Sequence, residues 1–545
     1  MTVRGLLARL PALLVSALII DLVLIQPNHP DAMTWGALRL FPLELPVILL
    51  TMIALAGTGW LVRAVRAVLV VVLVVIAVLK VADYGMFIAF NRPFNPLIDI
   101  HLVEAGLRLL SGTIGQVQAT AIGIAAAITP FVLAWLLWWA TGRWSRVVTP
   151  PAVRGVAVIG VVLASGLAIA EIGQARRAWT LPFSPPGAAF TARVGIERIE
   201  IYRALLADLE DFRKAADADP FPQTAGLFDR LEGADVLVIF VESYGRASID
   251  NPLYAPTHRA TLERFETGIA ETGLGMRTGW LTSPISGGQS WLAHATLASG
   301  LRVDNQARYS AMLASPRHTL FHLANDAGYR TAAVMPAITL PWPEARLLGF
   351  QQEMPAAALG YKGDPFNWIT MPDQFTLEAF DRLTAGEDLR RFTQIALISS
   401  HAPWTPVPQM VPWDEIGDGT IFNQWANSGD PPSVVWRDQD RVREQYRLTI
   451  DYALEAVLDY VRRHAEDDRV TIILGDHPPV AWVSGVAGGD VPIHMIGPPE
   501  RLAAIADWGW TEGLIPGPDA PVWPMEAFRD RLISAYSSQV SESSR

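Results

Sequence analysis

The chain has no cysteine, and lysine is nearly missing: Lys80, Lys214 and Lys362 are the only ones among 43 basic side chains. Without thiols there is no disulfide scaffold, no thiolate metal site and no cysteine nucleophile. A formal net charge of −11 removes the basic field that nucleic-acid binding requires, so no nucleic acid is expected as a partner. Long apolar runs are lacking after Ile172, and no internal repeat is found.

Before Ile172 the picture reverses. Hydrophobic residues make up 51% of the chain, and apolar stretches of spanning length fall at about 6 to 25, 40 to 61, 68 to 89, 119 to 139 and 153 to 172. Each is long enough for a hydrocarbon core about 30 Å thick. Arginines mark the cytoplasmic side: Arg4 and Arg9 start the first stretch, Arg63 and Arg66 separate the second from the third, and Arg143, Arg146 and Arg154 border the fourth and fifth. The opposite loops carry only Arg39, Arg92 and Arg108. Five spans with the N-terminus inside put everything after Ile172 outside the cytoplasm. Gln26-Pro27-Asn28 follows the first stretch without a small-residue cleavage site, so that stretch is expected to be retained. Lys80 and Asp83, about a turn apart in the third stretch, are expected to neutralise each other.

Residues 91 to 118 read as an external loop, with a helix-spaced segment from Leu102 to Leu110 at the membrane surface. Residues 173 to 231 read as a membrane-surface linker, with an amphipathic helix from Val194 to Ala216. From 232 to 535, short β-rich runs alternate with helices, the pattern of a mostly parallel sheet covered on both faces. Strands are expected at 235 to 242, 330 to 335, 392 to 399, 469 to 475 and 491 to 496, and helices at 291 to 299, 317 to 327, 374 to 384 and 442 to 464. Residues 536 to 545 form a polar tail.

Four separated segments carry the chemistry. Glu242 ends the apolar run Val236 to Val241, where a carboxylate is costly to bury unless a cation faces it. Asp476-His477 ends Ile472-Ile473-Leu474-Gly475 in the same way and offers a hard and a borderline ligand, suited to Zn²⁺ or Mn²⁺. Ser290 follows Gly287-Gly288 and opens a helix, which makes it either an N-cap or a nucleophile set where free N–H groups favour a phosphoryl group. Ser286 is the alternative nucleophile in that turn. His401 follows Ser399-Ser400 at the end of the expected strand 392 to 399, the edge where ligands gather in such sheets.

In this order the segments resemble the alkaline-phosphatase-like transferases that join five membrane helices to an exported sulfatase-type domain: lipoteichoic acid synthases, phosphoglycerol transferases and lipid A phosphoethanolamine transferases. The resemblance implies an α-helical transmembrane domain plus an α/β/α sandwich. It also implies one divalent cation, Zn or Mn, on Glu242, Ser290, Asp476 and His477, with Ser290 as nucleophile and His401, in Ser400-His401-Ala402-Pro403, facing the substrate phosphate. The expected partners are a phospholipid donor, a glycan or lipid acceptor and the bacterial inner membrane. Val241-Glu242-Ser243 and the lack of cysteine lean toward the phosphoglycerol branch, and the Cys/Ser-x-Pro-x-Arg signature of sulfate-ester hydrolases is missing around Ser290. A phosphatase or phosphodiesterase using the same site, and a silent lipid-binding protein, are the competing readings. Arg346, Trp404 and His494 are candidates for substrate contact, with Trp342 and Trp368 beside them; for the tryptophans and His494 a packing role competes.

Overall fold

The computed structural model describes all residues except 1–9, 91–92, 97–98, 101–102, 104–105, 108–109, 112–114, 148, 222–224, 388, 487 and 539–545. The chain divides into two compact units, Met1–Asp208 and Leu209–Arg545.

The first unit has five apolar helices where the five apolar stretches fall: Leu10–Ile25, Glu44–Leu55, Trp60–Phe90, Gln116–Ser145 and Pro151–Ala175. Among the described residues, the last three are long and apolar enough to cross a bilayer, while the first two are shorter. Ile20, Leu24, Ile48, Val70, Leu73, Leu137 and Ala140 pack into one core. Lys80 and Asp83 do not pair with each other. Lys80 donates to the Leu24 carbonyl (3.0 Å) and the Thr191 hydroxyl (3.1 Å), whereas Asp83 is ion-paired with Arg198. Helix Phe190–Asp217 supplies both Thr191 and Arg198, so Lys80 and Asp83 each find a partner outside their own helix. The surface helix expected over 102 to 110 and most of the polar tail lie outside the described residues.

The second unit is built on one sheet of nine strands: β1 (Asp235–Val241), β2 (Gly275–Thr282), β3 (Arg330–Met335), β4 (Gln352–Pro355), β5 (Arg391–Ala396), β6 (Arg469–Gly475), β7 (Asp490–Gly497), β8 (Thr511–Glu512) and β9 (Val522–Pro524). The order is β4-β3-β5-β1-β6-β7-β2-β8, with β9 also paired to β2. β4, β3, β5, β1 and β6 run parallel, β7 runs against β6, and β2 runs against β7. The double reversal returns β2 to the direction of β6. The C-terminal ends of β1, β2, β3, β5 and β6 therefore share one edge.

β1 reads as a continuous apolar run because both of its faces are covered. Val236, Val238 and Phe240 point into one core and Leu237, Ile239 and Val241 into the other. Full burial of each such side chain is worth about 1.5–3 kcal/mol, which fixes the strand's register against β5 and β6. On the second face lies the helix Gln439–Arg463, capped by the Asp438 carboxylate on the N–H groups of Asp440 and Arg441 and ending in Arg462 and Arg463. Its inward stripe includes Val442, Tyr446, Ile450 and Val457.

Candidate active site

Glu242 follows the last residue of β1 and Asp476 the last of β6, and these are neighbouring parallel strands whose ends Val241 and Gly475 are in register. The strand ends alone would not hold the carboxylates together, and a network of short hydrogen bonds completes the arrangement. Ser243 donates its N–H to Asp476 Oδ1 (2.8 Å) and its hydroxyl to Glu242 Oε1 (3.0 Å). The His477 N–H also donates to Asp476 Oδ1 (2.7 Å). Ser283, beyond β2, donates to the Asp476 carbonyl (2.6 Å), and Ser400, beyond β5, to the Glu242 carbonyl (2.6 Å).

One ligand atom from each of Glu242, Asp476 and His477 lies within 4.8 Å of the others, and all three residues are buried. His477 Nδ1 faces the Pro478 carbonyl at 2.9 Å. A proton on Nδ1 satisfies that contact and turns the Nε2 lone pair toward the carboxylates. Ser290 Oγ donates to Glu242 Oε2 (2.9 Å) and lies 3.3 Å from His477 Nε2. Two carboxylates, one imidazole and one hydroxyl form an oxygen-rich set with a single nitrogen, which fits Zn²⁺ or Mn²⁺.

Ser290 is the first residue of the helix Ser290–Ser299, and Gln289 occupies the N-cap position. Its hydroxyl points to Glu242 and does not cap the helix. Gly287 and Gly288 take φ of +75° and +138°, conformations that side chains resist, and the Gly287 N–H donates to the Pro478 carbonyl (3.0 Å). Ser243, Gln289 and Trp404 also adopt positive φ, so left-handed non-glycine residues flank three of the four segments. Ser286 is exposed in the same turn.

Charge in the cluster is set by mutual interaction. Burial alone would lower the pKa of His477, but the Asp476 and Glu242 carboxylates push it up to about 9. Burial and the Glu242 charge push Asp476 up to about 7. Burial would also raise Glu242, yet the hydrogen-bonded His477 cation holds it below the usual carboxylate range, helped by His401. The cluster therefore retains protons that a divalent cation would displace.

His401 lies in the segment leaving β5, with its ring parallel to Trp368 at 6.3 Å. The other sequence candidates fall elsewhere. Trp404 is buried, donates its indole N–H to the Ser400 carbonyl (2.8 Å) and stacks on Trp436, so it forms the floor of the histidine segment and not a groove wall. His494 is buried in β7 between the Tyr244 hydroxyl (3.2 Å) and the Thr278 hydroxyl (2.9 Å), a packed core histidine whose pKa burial lowers to about 3. Arg346 is exposed on the short helix Glu344–Leu347. Trp342 turns inward to line a 60 Å³ cavity with Trp291 and His294.

Sequence reasoning passed over Asp373. Its Oδ1 accepts the N–H groups of Ile398 and Ser399 (2.8 Å each) and so fixes the segment that presents Ser400 and His401. A carboxylate at a helix start after proline gives no sequence signal of that long-range role. His294, one turn after Ser290, was within reach of a simple helical count.

Residues 235–483 match the protein-family model described as Sulfatase. No curated protein matches the chain. Among solved structures, the chain is similar to the lipoteichoic acid synthase LtaP of Listeria monocytogenes: 12% identity, covering 61% of this chain and 81% of that one, TM-score 0.38. It is also similar to the phosphoglycerol transferase GacH of Streptococcus pyogenes, solved with sn-glycerol-1-phosphate: 11% identity, 63% and 84% covered, TM-score 0.38. A third likeness is to the soluble domain of lipooligosaccharide phosphoethanolamine transferase A of Neisseria meningitidis: 13% identity, 59% and 91% covered, TM-score 0.39.

Proposed function

We propose that this chain transfers a phospholipid headgroup, phosphoglycerol or phosphoethanolamine, to an extracytoplasmic glycan or lipid acceptor through a covalent Ser290 intermediate. The observation that carries the reading is the Ser290 hydroxyl, at a helix start, hydrogen-bonded to Glu242 inside a buried carboxylate–imidazole cluster. A five-span anchor in the bacterial inner membrane, with the sulfatase-type domain on its outer side, keeps the lipid donor local.

In the first step Ser290 Oγ attacks the headgroup phosphorus as its proton passes along the hydrogen bond to Glu242 Oε2, and the bond to the diacylglycerol oxygen breaks; the proton returns to Ser290 when the acceptor displaces it. Free N–H groups at the start of helix Ser290–Ser299 face the phosphoryl oxygens. His401 donates a proton to the departing oxygen, and in the second step it takes one from the acceptor hydroxyl that displaces Ser290. A divalent cation held by Glu242, Ser290, Asp476 and His477 would lower the pKa of the serine hydroxyl and offset phosphoryl charge.

The test is the intact mass of the purified chain after exposure to phosphatidylglycerol or phosphatidylethanolamine vesicles with Mn²⁺ or Zn²⁺, run beside Ser290→Ala. A headgroup adduct is expected on the parent protein and none on the variant, which still binds the cation. Full transfer activity in Ser290→Ala refutes the nucleophile. Absence of both adduct and diacylglycerol release with either lipid refutes the donor class.

A further inference from the structure

The edge of the sheet that carries the candidate site also carries large apolar side chains left in solvent. Trp291 is 39% exposed, Leu340 61%, Trp368 53%, Trp436 44% and Trp482 36%. Trp291 directly follows Ser290 on the chain leaving β2, Leu340 lies on the loop leaving β3, and Trp482 lies in the short helix Ala481–Ser484 beyond β6. Trp368 lies parallel to the His401 ring. Trp436 stacks on Trp404 at 5.7 Å and donates its N–H to the Pro403 carbonyl (3.1 Å), which ties it to the segment leaving β5. Thr370, two residues after Trp368, donates to the Pro336 carbonyl (2.7 Å) and so joins the Trp368 segment to the loop of Leu340.

We propose that this edge is a bilayer-docking rim, and that the site takes its donor while the lipid still sits in the headgroup layer of a membrane. The proposal rests on the phospholipid-donor reading above. Half-exposed indoles, with an apolar body and a polar N–H, are the side chains that settle at the headgroup level of a bilayer. Leu340 adds apolar area with no hydrogen-bonding use. Arg443 stands 6.0 Å from the Trp482 ring and donates to the Trp482 carbonyl (3.0 Å), while its charge is paired with Asp440 (2.9 Å), so the rim rests on the indoles and Leu340. Helices long enough to cross a bilayer belong to the same chain, so a membrane surface is always within tether range.

The absence of cysteine makes the test direct, because one introduced thiol is the only labelling position. Nitroxide is attached to Leu340→Cys, Trp482→Cys and, as control, Leu389→Cys, which is exposed just before β5 at the opposite edge. The full chain is reconstituted in vesicles of phosphatidylglycerol and phosphatidylethanolamine. Labels at 340 and 482 are expected to collide with dissolved oxygen and to be shielded from an aqueous nickel chelate, with the label at 389 open to the chelate. Equal chelate access at all three positions overturns the proposal. Shielding of 340 and 482 from both reagents assigns the rim to a protein partner and overturns it too.

A second readout is headgroup release from these vesicles relative to release from monomeric dihexanoyl lipid. That ratio is expected to fall about tenfold in the Leu340→Asp, Trp482→Asp double variant, a loss of about 1.4 kcal/mol. An unchanged ratio counts against the rim. If the parent protein releases headgroup from neither lipid form, the functional reading fails, while the label accessibilities still decide the docking surface.

Discussion

Gly475 is the position where one methyl group tests the architecture of the site. It ends β6 immediately before Asp476, and a Cβ added there would lie 1.8 Å from the Tyr244 carbonyl oxygen and 2.8 Å from its carbon. Ordinary contact begins near 3.4 Å, so the Tyr244 peptide would have to retreat by about 1.6 Å, and both atoms belong to backbone that cannot swing aside. The move drags Ser243, whose N–H holds Asp476 Oδ1 at 2.8 Å and whose hydroxyl holds Glu242. Overpacking costs about 1–3 kcal/mol and a lost hydrogen bond to a charged group about 1.5–3 kcal/mol. Gly475→Ala should therefore lose about 4 kcal/mol and lower the Tm by roughly 5–10 °C. Disturbing groups that orient metal ligands typically costs about 10–100-fold in metal affinity. The assay pairs a tryptophan-fluorescence melt of the purified chain with a zinc competition titration. Gly268→Ala is the control of opposite sign: it lies within helix Ala255–Ala270, its added Cβ meets only Arg462 Cδ at 3.4 Å, and alanine should stabilise that helix by about 0.5–1 kcal/mol. A Gly475→Ala protein with parental Tm and parental zinc affinity would refute the account of how the two strand ends are locked.

Cation affinity should weaken as pH falls, because binding must displace protons from His477, pushed up to about 9, and from Asp476, pushed up to about 7. The expected slope is about tenfold per pH unit between those values and steeper below them, and a flat competition titration from pH 6 to 9 contradicts it. Asp373→Ala strips the acceptor from two buried N–H groups, those of Ile398 and Ser399, and should cut kcat with little change in cation affinity; Asp373→Asn, which keeps an acceptor oxygen, should recover most of the rate. Equal loss in both variants would mean that the carboxylate's charge matters and its geometry does not. Burial lowers His258 to about 4 and His494 to about 3, below the value near 6.5 of an unfolded chain. Their contribution to stability is complete above pH 6.5 and is lost as pH falls toward 4, so the Tm of the second unit should drop between pH 7 and 5; an acid-insensitive Tm refutes this.

The central parallel strands were legible because each is buried on both faces, so Val236 to Val241 and Ile472 to Leu474 stand out as apolar runs shortly before a chemical residue. β2 was not. Gly275-Met276-Arg277-Thr278-Gly279-Trp280 mixes glycine and arginine into a strand whose Gly279 makes room for Trp510, with the indole only 2.6 Å from where a Cβ would sit. Helix Ala255–Ala270 was missed for a related reason: its first turn contains proline, and of its buried residues only Leu262 and Ile269 are apolar. Glu242, Ser290, Asp476 and His477 could be paired in advance because each follows a turn or strand end. For Trp404 and His494 the packing alternative matches where the structure places them, a choice that residue type alone leaves open. For Lys80 and Asp83, spacing along one helix suggested a pair, while their partners come from a helix more than a hundred residues away.

The reversal that returns β2 to the direction of β6 has a consequence in time as well as in space. Ser243 and Asp476, joined by a hydrogen bond, are 233 residues apart in the chain, and Ser290 and His477 are 187 apart. During synthesis Glu242 and Ser290 appear long before β6 exists to close the centre of the sheet, so a chain still being made holds these two without Asp476 and His477. Contacts of such long sequence separation form late in folding. The proposed site is therefore incomplete until β6 docks beside β1.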